Sequence, residues 1–316
     1  MRVLVTGGTG YLGGAIVHAL HTRGHVPVTF ARRATSAHLP GSPIDGDIRD
    51  SVAVRVAARG VDAIIHTAAL VSVWRPHPEE FDHVNVGGLH NAIDAARESG
   101  ARLIYTSSFL ALPPPGQDVP LEANDYQRTK VRALESARRA AAEGMRLTIL
   151  FPGVVYGPGE ATEGNLVGRL VRDHLAGRLP GLIGADRSWS YAYVDDVAAA
   201  HVAAVEGMDI SGEYRIGGEN VPQMRVFEIV RDVTSRRLPR RIPFAAAAVA
   251  AMAEELRARL LQQPPLLTKG VVQIFRHDWP VDSTRSIRDL NYRITPLRMG
   301  VERLLRQGQP FCNPAE

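Results

Sequence analysis

Tyr126-Gln-Arg-Thr-Lys130 places a phenol and an ammonium four residues apart, and a serine, Ser108, stands upstream. On a helix that spacing puts both side chains on one face. A tyrosine hydroxyl ordinarily titrates near 10, too high for an efficient base at neutral pH. A neighbouring ammonium favours the phenolate and lowers that value. A serine hydroxyl can hold a carbonyl oxygen and stabilise charge developing on it. Together the three can move a proton to or from an alcohol oxygen while a nicotinamide moves hydride. The chain has eight tyrosines but only two lysines, Lys130 and Lys269. Random placement would give about 0.05 Tyr-x-x-x-Lys pairs, so the pairing calls for a chemical reason.

Such a site needs elements that hold it. A proline-rich loop, Pro113 to Pro120, precedes a helix that begins near Tyr126. Arg102 to Ser107 is a strand run, and Ser108 stands at its end. At the head of the chain, Arg2 to Thr6 is a short apolar strand, followed at once by Gly7, Gly8, Gly10 and Gly13. An apolar helix, Ala15 to Leu20, ends near Gly24. Strand, glycine turn and helix are the context of a dinucleotide fingerprint. The pyrophosphate must approach the backbone closely, and a helix N-terminus offers it unpaired N–H groups.

The strands that follow carry ligand-compatible ends. His25 to Ala31 is followed by Arg32 and Arg33, with no acid at Thr29, Phe30 or Ala31 to hold a ribose 2′-hydroxyl. Two guanidiniums there suit the 2′-phosphate of NADP. Asp47 and Ile48 follow a short third strand, where adenine would lie, and Asp50 reads as a helix cap. Val61 to Thr67 is a fourth strand; Thr67, Ala68 and Ala69 end it with side chains small enough for a ligand to approach the backbone. His66 has no visible partner and reads as packing. A helix with Asn85 follows, in which Gly87-Gly88 point to a close contact. Leu147 to Leu150 is a sixth strand.

Strands and helices alternate through this half, which predicts an α/β chain with a doubly wound parallel sheet of Rossmann type. Ligands of such sheets bind beyond the carboxyl ends of the strands. After Gly159 the pattern loosens: a helix over Asn165 to Gly177, a strand over Trp189 to Val194, and Asp195-Asp196 capping an alanine-rich helix. The expected division is a cofactor domain over 1–155 plus about 190–207, and a smaller substrate lobe over 156–189 and 208–316.

Composition narrows the function classes. The lone cysteine, Cys312, rules out an internal disulfide and agrees with a reducing cytoplasm. Met1 runs straight into the first strand, so no signal peptide is expected. The longest apolar run, Ile242 to Ala253, is too short and too alanine-rich to span a bilayer. Net charge is +4 and the pI about 9.4, but the arginines are scattered, which argues against nucleic acid. A basic surface does suit an anionic cofactor or substrate.

Thr6-Gly-Gly-Thr-Gly-Tyr-Leu-Gly13, Thr106-Ser-Ser108 and Tyr126-x-x-x-Lys130 together resemble an extended short-chain dehydrogenase/reductase. Leu179-Pro-Gly-Leu-Ile183, Tyr191-Ala-Tyr-Val-Asp-Asp196, Gly212-Glu-Tyr-Arg-Ile-Gly217 and Asp282-Ser-Thr-Arg285 extend the resemblance along nearly the whole chain. The chain looks most similar to the dihydroflavonol-reductase and 3β-hydroxysteroid-dehydrogenase-like branch. That resemblance implies Ser108, Tyr126 and Lys130 as catalytic residues, with Lys130 also holding the nicotinamide ribose. It further implies cofactor contacts from Gly7, Gly10, Tyr11, Leu12, Gly13, Asp47, Ile48, Ala68, Pro152 and Val154.

Departures from the family pattern bear on the reaction. Phe109-Leu110 stand where the family's nucleotide-sugar dehydratases carry an acidic pair. The segment around Phe151-Pro-Gly153 lacks the asparagine usual in its epimerases. Val71, Val73, Trp74, Phe109 and Tyr156 are candidates for an apolar pocket, while Arg169, Arg172, Arg178 and Arg187 are candidates for a diphosphate. The expectation is an NADP(H)-dependent oxidoreductase that reduces a ketone or aldehyde, or runs in reverse. The alternatives are a nucleotide-sugar epimerase and a non-catalytic NADP-sensing regulator. The expected partners are a small carbonyl or alcohol, with no metal, nucleic acid or membrane span, and a homodimer as the candidate assembly.

Overall fold

The computed structural model describes residues 1–160, 162–207 and 209–307; Cys312 lies outside them. The first half alternates as the apolar pattern requires: β1 (Arg2–Thr6), α1 (Tyr11–Thr22), β2 (Val26–Ala31), β3 (Ser42–Asp45), α2 (Ser51–Ala57) and β4 (Ala63–His66). A helical turn, α3 (Glu79–Phe81), passes through a π-helical segment, Asp82–Gly87, into α4 (Gly88–Ser99). Then come β5 (Arg102–Thr106), a 3₁₀ turn over Phe109–Ala111, α5 (Asp125–Ala142), β6 (Leu147–Pro152) and β7 (Val154–Tyr156). The remainder comprises α6 (Leu166–Leu175), β8 (Leu182–Ile183), β9 (Ser188–Tyr193), α7 (Val194–Glu206), β10 (Gly212–Ile216), β11 (Glu219–Pro222), α8 (Met224–Thr234), β12 (Arg241–Ile242), α9 (Phe244–Leu261), α10 (Lys269–Phe275), α11 (Thr284–Leu290) and α12 (Leu297–Gln307).

Seven strands form one sheet in the order β10-β6-β5-β4-β1-β2-β3, and every pairing in it is parallel. Both faces are buried, which is why these strands read as continuous apolar runs rather than alternating ones. Val3, Val5, Ile65 and Ile104 pack under α1 and α7. Leu4, Ile64, Leu103 and Tyr105 pack on the other face with α2, α4 and α5. Gly212–Ile216, expected in the smaller lobe, pairs with β6 and extends this sheet. A second apolar cluster gathers around the three-stranded sheet β11-β9-β7, with α8 and α12.

Local signals explain several boundaries. The Asp50 carboxylate accepts from the Val52 and Ala53 N–H groups at 2.9 and 3.1 Å, so it caps α2 as expected. Ile48 fills the space that a side chain at Gly88 would need, which accounts for that glycine. Asp196, by contrast, does not cap α7. Its carboxylate takes the Thr295 N–H and hydroxyl at 2.6 and 2.9 Å, tying the C-terminal segment to the sheet. At the other end of α7, the buried Arg102 guanidinium donates to the Ala204, Val205 and Gly207 carbonyls. A cation on orphan carbonyls is favourable at a helix C-terminus.

Two histidines are sealed beneath the strand ends. His66 Nδ1 and the Thr6 hydroxyl share a 2.8 Å hydrogen bond, the partner that the sequence did not disclose. His201 donates from Nδ1 to the Val197 carbonyl, which leaves Nε2 to accept from the Thr106 hydroxyl at 2.8 Å. Burial holds His66 down to about 3, with the Lys130 charge adding to it, and burial holds His201 down to about 4. Both are neutral when folded and titrate near 6.5 when unfolded. The stability they contribute is present above about 6.5 and is lost as the pH falls toward 4 and then 3. Urea denaturation between pH 7 and 4 is expected to show proton uptake on unfolding, smaller in His201→Gln. An identical pH slope in parent and variant would contradict the assignment.

Candidate active site

The glycine turn meets the carboxyl end of β4. Gly7 adopts a left-handed conformation, φ +72°, and an added Cβ would lie 2.7 Å from Ala68 Cα. A Cβ at Gly13 would lie 2.2 Å from the Gly7 carbonyl, so α1 can pack this closely only without one. Thr67 donates its hydroxyl to the Thr6 carbonyl at 2.7 Å and fixes the two strand ends together. Gly10 opens α1 with no side-chain cap, and the first turn contains no acid. The N–H groups of Tyr11, Leu12 and Gly13 are therefore left for an anion, as a pyrophosphate requires. Ala68 and Ala69 follow β4 beside this turn, Pro152 ends β6, and Val154 begins β7. The Tyr11 ring lies against Gly157 and Gly159, joining the turn to the loop after β7.

Arg32 and Arg33 follow β2 at the same edge. Both are exposed, and neither has an ion pair among the described residues. Asp47, expected against adenine, is engaged by Arg49 at 2.6 Å. That hydrogen-bonded guanidinium holds its carboxyl below the usual range, with a smaller contribution from Arg32. Ile48 is buried beside it, and its carbonyl accepts from the Asn91 amide at 2.8 Å. These residues fit a dinucleotide: an uncapped helix start, a cradle that a Cβ would fill, and two unpaired guanidiniums at the ribose end.

Ser108 sits one residue past Ser107 at the end of β5, and its Oγ accepts from the Leu110 N–H at 3.2 Å. Tyr126, in the first turn of α5, faces Ser108. Burial raises the phenol above its ordinary value, and the neighbouring Ser108 hydroxyl offsets only part of that rise. Lys130 is buried one turn further on. Its Nζ donates to the Thr106 carbonyl at 3.0 Å and lies 5.3 Å from the Tyr105 ring centre. Burial lowers it to about 8. The expectation that Lys130 sets a depressed phenol is therefore corrected. Burial dominates at Tyr126, and the ammonium spends a hydrogen bond on the strand backbone.

Residues that the motif does not mark hold this helix in place. Asn124 caps α5 by accepting from the Gln127 N–H at 2.8 Å. The fully buried Gln127 side chain returns to the Ala123 N–H at 2.9 Å and donates to the Leu110 carbonyl at 3.0 Å. Asn85 donates to the Thr129 hydroxyl at 2.9 Å and accepts from the Leu70 N–H at 2.7 Å. Arg128 forms an ion pair with Asp82 at 2.7 Å.

The substrate candidates separate. Val71 is exposed and Trp74 half-buried on the loop leaving β4, at the sheet edge that carries Ser108. Phe109 is buried and joins an aromatic cluster of the second core that the sequence did not reveal, 5.6 Å from Trp279 and 6.3 Å from Trp189 between ring centres. Tyr156 is corrected: it is fully buried, edge-on to Tyr191 and Tyr193, and belongs to the second core rather than to a pocket. Arg187 is exposed and faces Asp278 at 3.5 Å, and Arg178 pairs with Asp173 at 2.7 Å.

Lys130 also makes a prediction about stability. Its folded value near 8 lies below its unfolded value, so its burial is a cost at neutral pH that is relieved between about 8 and 10.5. Lys130→Met is expected to be inactive yet more stable than the parent at pH 7, by an advantage that shrinks toward pH 10. Equal denaturation midpoints at pH 7, or an advantage that grows with pH, would contradict this.

The family model described as "NAD dependent epimerase/dehydratase family" matches residues 3–217. A sterol demethylase protein B from Methylococcus capsulatus is 30% identical over 94% of this chain and 95% of its own length. A 2-alkyl-3-oxoalkanoate reductase from Stenotrophomonas maltophilia is 31% identical over 88% of this chain and 91% of that protein. A 3-beta-hydroxysteroid dehydrogenase from Mycolicibacterium neoaurum is 30% identical over 75% of this chain and 71% of that one. Among solved structures, that of gox2253 superposes with a TM-score of 0.80 and 27% identity, covering 97% of both chains. With the glycine turn, the Ser-Tyr-Lys set and a family match over two thirds of its length, the chain belongs to the NAD dependent epimerase/dehydratase family, as an enzyme of the extended short-chain dehydrogenase/reductase type.

Proposed function

We propose that this chain is a cytoplasmic NADP(H)-dependent reductase that converts a ketone or aldehyde on a largely apolar substrate to the alcohol, or runs the same reaction in reverse. The observation that carries the reading is the Tyr126 phenol, raised above its ordinary value by burial and placed beside Ser108 at the sheet edge where the glycine turn opens. A neutral phenol is the state that an acid needs in order to protonate a forming alkoxide. The carbonyl oxygen lies between the Ser108 and Tyr126 hydroxyls. A nicotinamide held there would supply the hydride to the carbonyl carbon. Tyr126 gives its proton to the oxygen, the Ser108 hydroxyl stabilises the charge developing on it, and Lys130 is assigned to the nicotinamide ribose.

The 2′-phosphate of NADP is assigned to Arg32 and Arg33, whose guanidiniums are not spent on carboxylates. Cofactor binding belongs to the seven-stranded body, and the elements around β9 and α8 cover the substrate. The apolar character rests on Val71 and Trp74 on the loop leaving β4, and on Phe109, which follows Ser108 and packs against Trp279 and Trp189. Two relatives are named for an oxoalkanoate and a hydroxysteroid, both largely hydrocarbon in body, the first with a carboxylate as well. Arg178 and Arg187 already face carboxylates, which weighs against a diphosphate subsite there.

Tyr126→Phe removes one hydroxyl and leaves the ring in its packing. We expect kcat for NADPH-dependent reduction of long-chain ketones and aldehydes to fall by roughly 10²–10⁴-fold, the usual worth of general acid catalysis. NADP(H) affinity by calorimetry should stay within about twofold, since the glycine turn and Arg32 are untouched. Full turnover by Tyr126→Phe would remove the mechanism.

A further inference from the structure

Helix α9 is built inside out. Its buried residues are Ala247, Ala251 and Ala258, which share one face. Val249, Met252, Leu256 and Leu260, spaced three, four and four apart, share the opposite face and are 56–74% exposed. A helix that served only to cover a core would bury its large side chains and expose its alanines. The stripe continues past the helix end into Leu261 and Leu266, the latter 88% exposed beside Pro264 and Pro265. No charged residue interrupts the outer face from Ala245 to Leu260.

The charges of α9 are sorted about this stripe. Glu254 accepts from Arg257 at 2.8 Å and from the Leu266 N–H at 2.9 Å, and Glu255 accepts from the Lys269 N–H at 2.7 Å. Both acids thus face the α9–α10 turn and are neutralised there. Arg257 is paired with Glu254, whereas Arg259, at the edge of the apolar stripe by helical position, has no ion pair among the described residues. Arg276 lies over the Phe244 ring at the start of the helix. An apolar stripe with basic flanks is the pattern of a helix lying in a lipid interface. Among the described residues no helix is long and apolar enough to cross a membrane.

We propose that the outer face of α9 docks this protein onto the surface of an anionic lipid bilayer. A second copy of the chain suits the face less well. The stripe is one helix wide and about 25 Å long, far from the roughly 800 Å² per partner of a stable interface. The position adds a consequence. The α9 alanines rest on Val272 of α10. A Cβ on Gly270, in the first turn of α10, would lie 2.2 Å from the Ala123 carbonyl, beside the Asn124 cap of the catalytic helix. Phe275, at the other end of α10, is tilted against Trp189 with ring centres 4.6 Å apart, in the aromatic cluster around Phe109. The lipid-facing helix and the candidate pocket are thus joined by one short helix. Docking stands without the reductase reading.

Flotation of the full-length protein with phosphatidylglycerol–phosphatidylcholine vesicles tests this directly. Binding is expected with the anionic vesicles, weakening at high salt and with phosphatidylcholine alone. Leu256→Glu/Leu260→Glu should lose about tenfold or more in apparent vesicle affinity, with thermal midpoint and NADP(H) binding unchanged because both positions face solvent. In Leu256→Trp the added indole should shift its emission to the blue on vesicle addition. Absence of parent binding, or equal binding by the double glutamate variant, would overturn the proposal. So would a parent dimer that the same variant converts to monomer, since the face would then be a subunit interface. Vesicle binding without carbonyl reduction would leave docking intact and remove the reductase reading.

Discussion

Five consecutive residues at the start of α5 each reach a different part of the molecule, and the site depends on their holding together. Tyr126 meets Ser108, Gln127 the Leu110 carbonyl, and Arg128 Asp82. Thr129 meets Asn85, and Lys130 the Thr106 carbonyl. One helical turn is thereby clamped to the end of β5, to the 3₁₀ turn after Ser108 and to the π-helical segment. A hydroxyl pair that must share one carbonyl oxygen tolerates little misplacement, and the clamp supplies that tolerance from buried hydrogen bonds rather than from the reacting groups.

The same geometry makes the site costly. Lys130 is sealed under the helix on a single carbonyl and the face of Tyr105, and its charge is disfavoured there. Two neutral histidines lie below the strand ends for the same reason: a second and third charge in this layer would meet the same desolvation. The strand ends need small or polar residues because a ligand must reach the backbone, so the apolar core cannot extend through them. Stability is concentrated one layer lower, in the two apolar faces of the sheet, and the carboxyl edge is left polar and shaped for binding.

How much of this was legible depends on range. Signals carried by neighbours in sequence were readable: the glycine turn, the alternation of strands and helices, the Asp50 cap and the Tyr126–Lys130 spacing. What escaped depends on partners far apart in the chain. Gln127 looks like an ordinary helix residue until Leu110 is placed beside it. Trp189 and Trp279 become a cluster around Phe109 only through the parallel bridge that joins their segments. Tyr156 reads the same on a pocket wall as in a core, and its two tyrosine neighbours decide for the core. Asp196 stands where a cap would stand, yet Thr295 arrives from ninety-nine residues away to claim it. Alanine spacing in α9 gives no hint of which face is turned inward, because alanine is at home on either.

The most direct test of the central claim follows the hydride itself. NADPH deuterated at the nicotinamide C4 position, incubated with the protein and an apolar ketone, should give an alcohol with one deuterium on the carbinol carbon and an equal amount of released NADP⁺. NADH should serve less well at equal concentration, because it lacks the phosphate assigned to Arg32 and Arg33. No label in any alcohol, while a nucleotide sugar is interconverted on the same protein without net cofactor oxidation, would contradict the account and favour an epimerase.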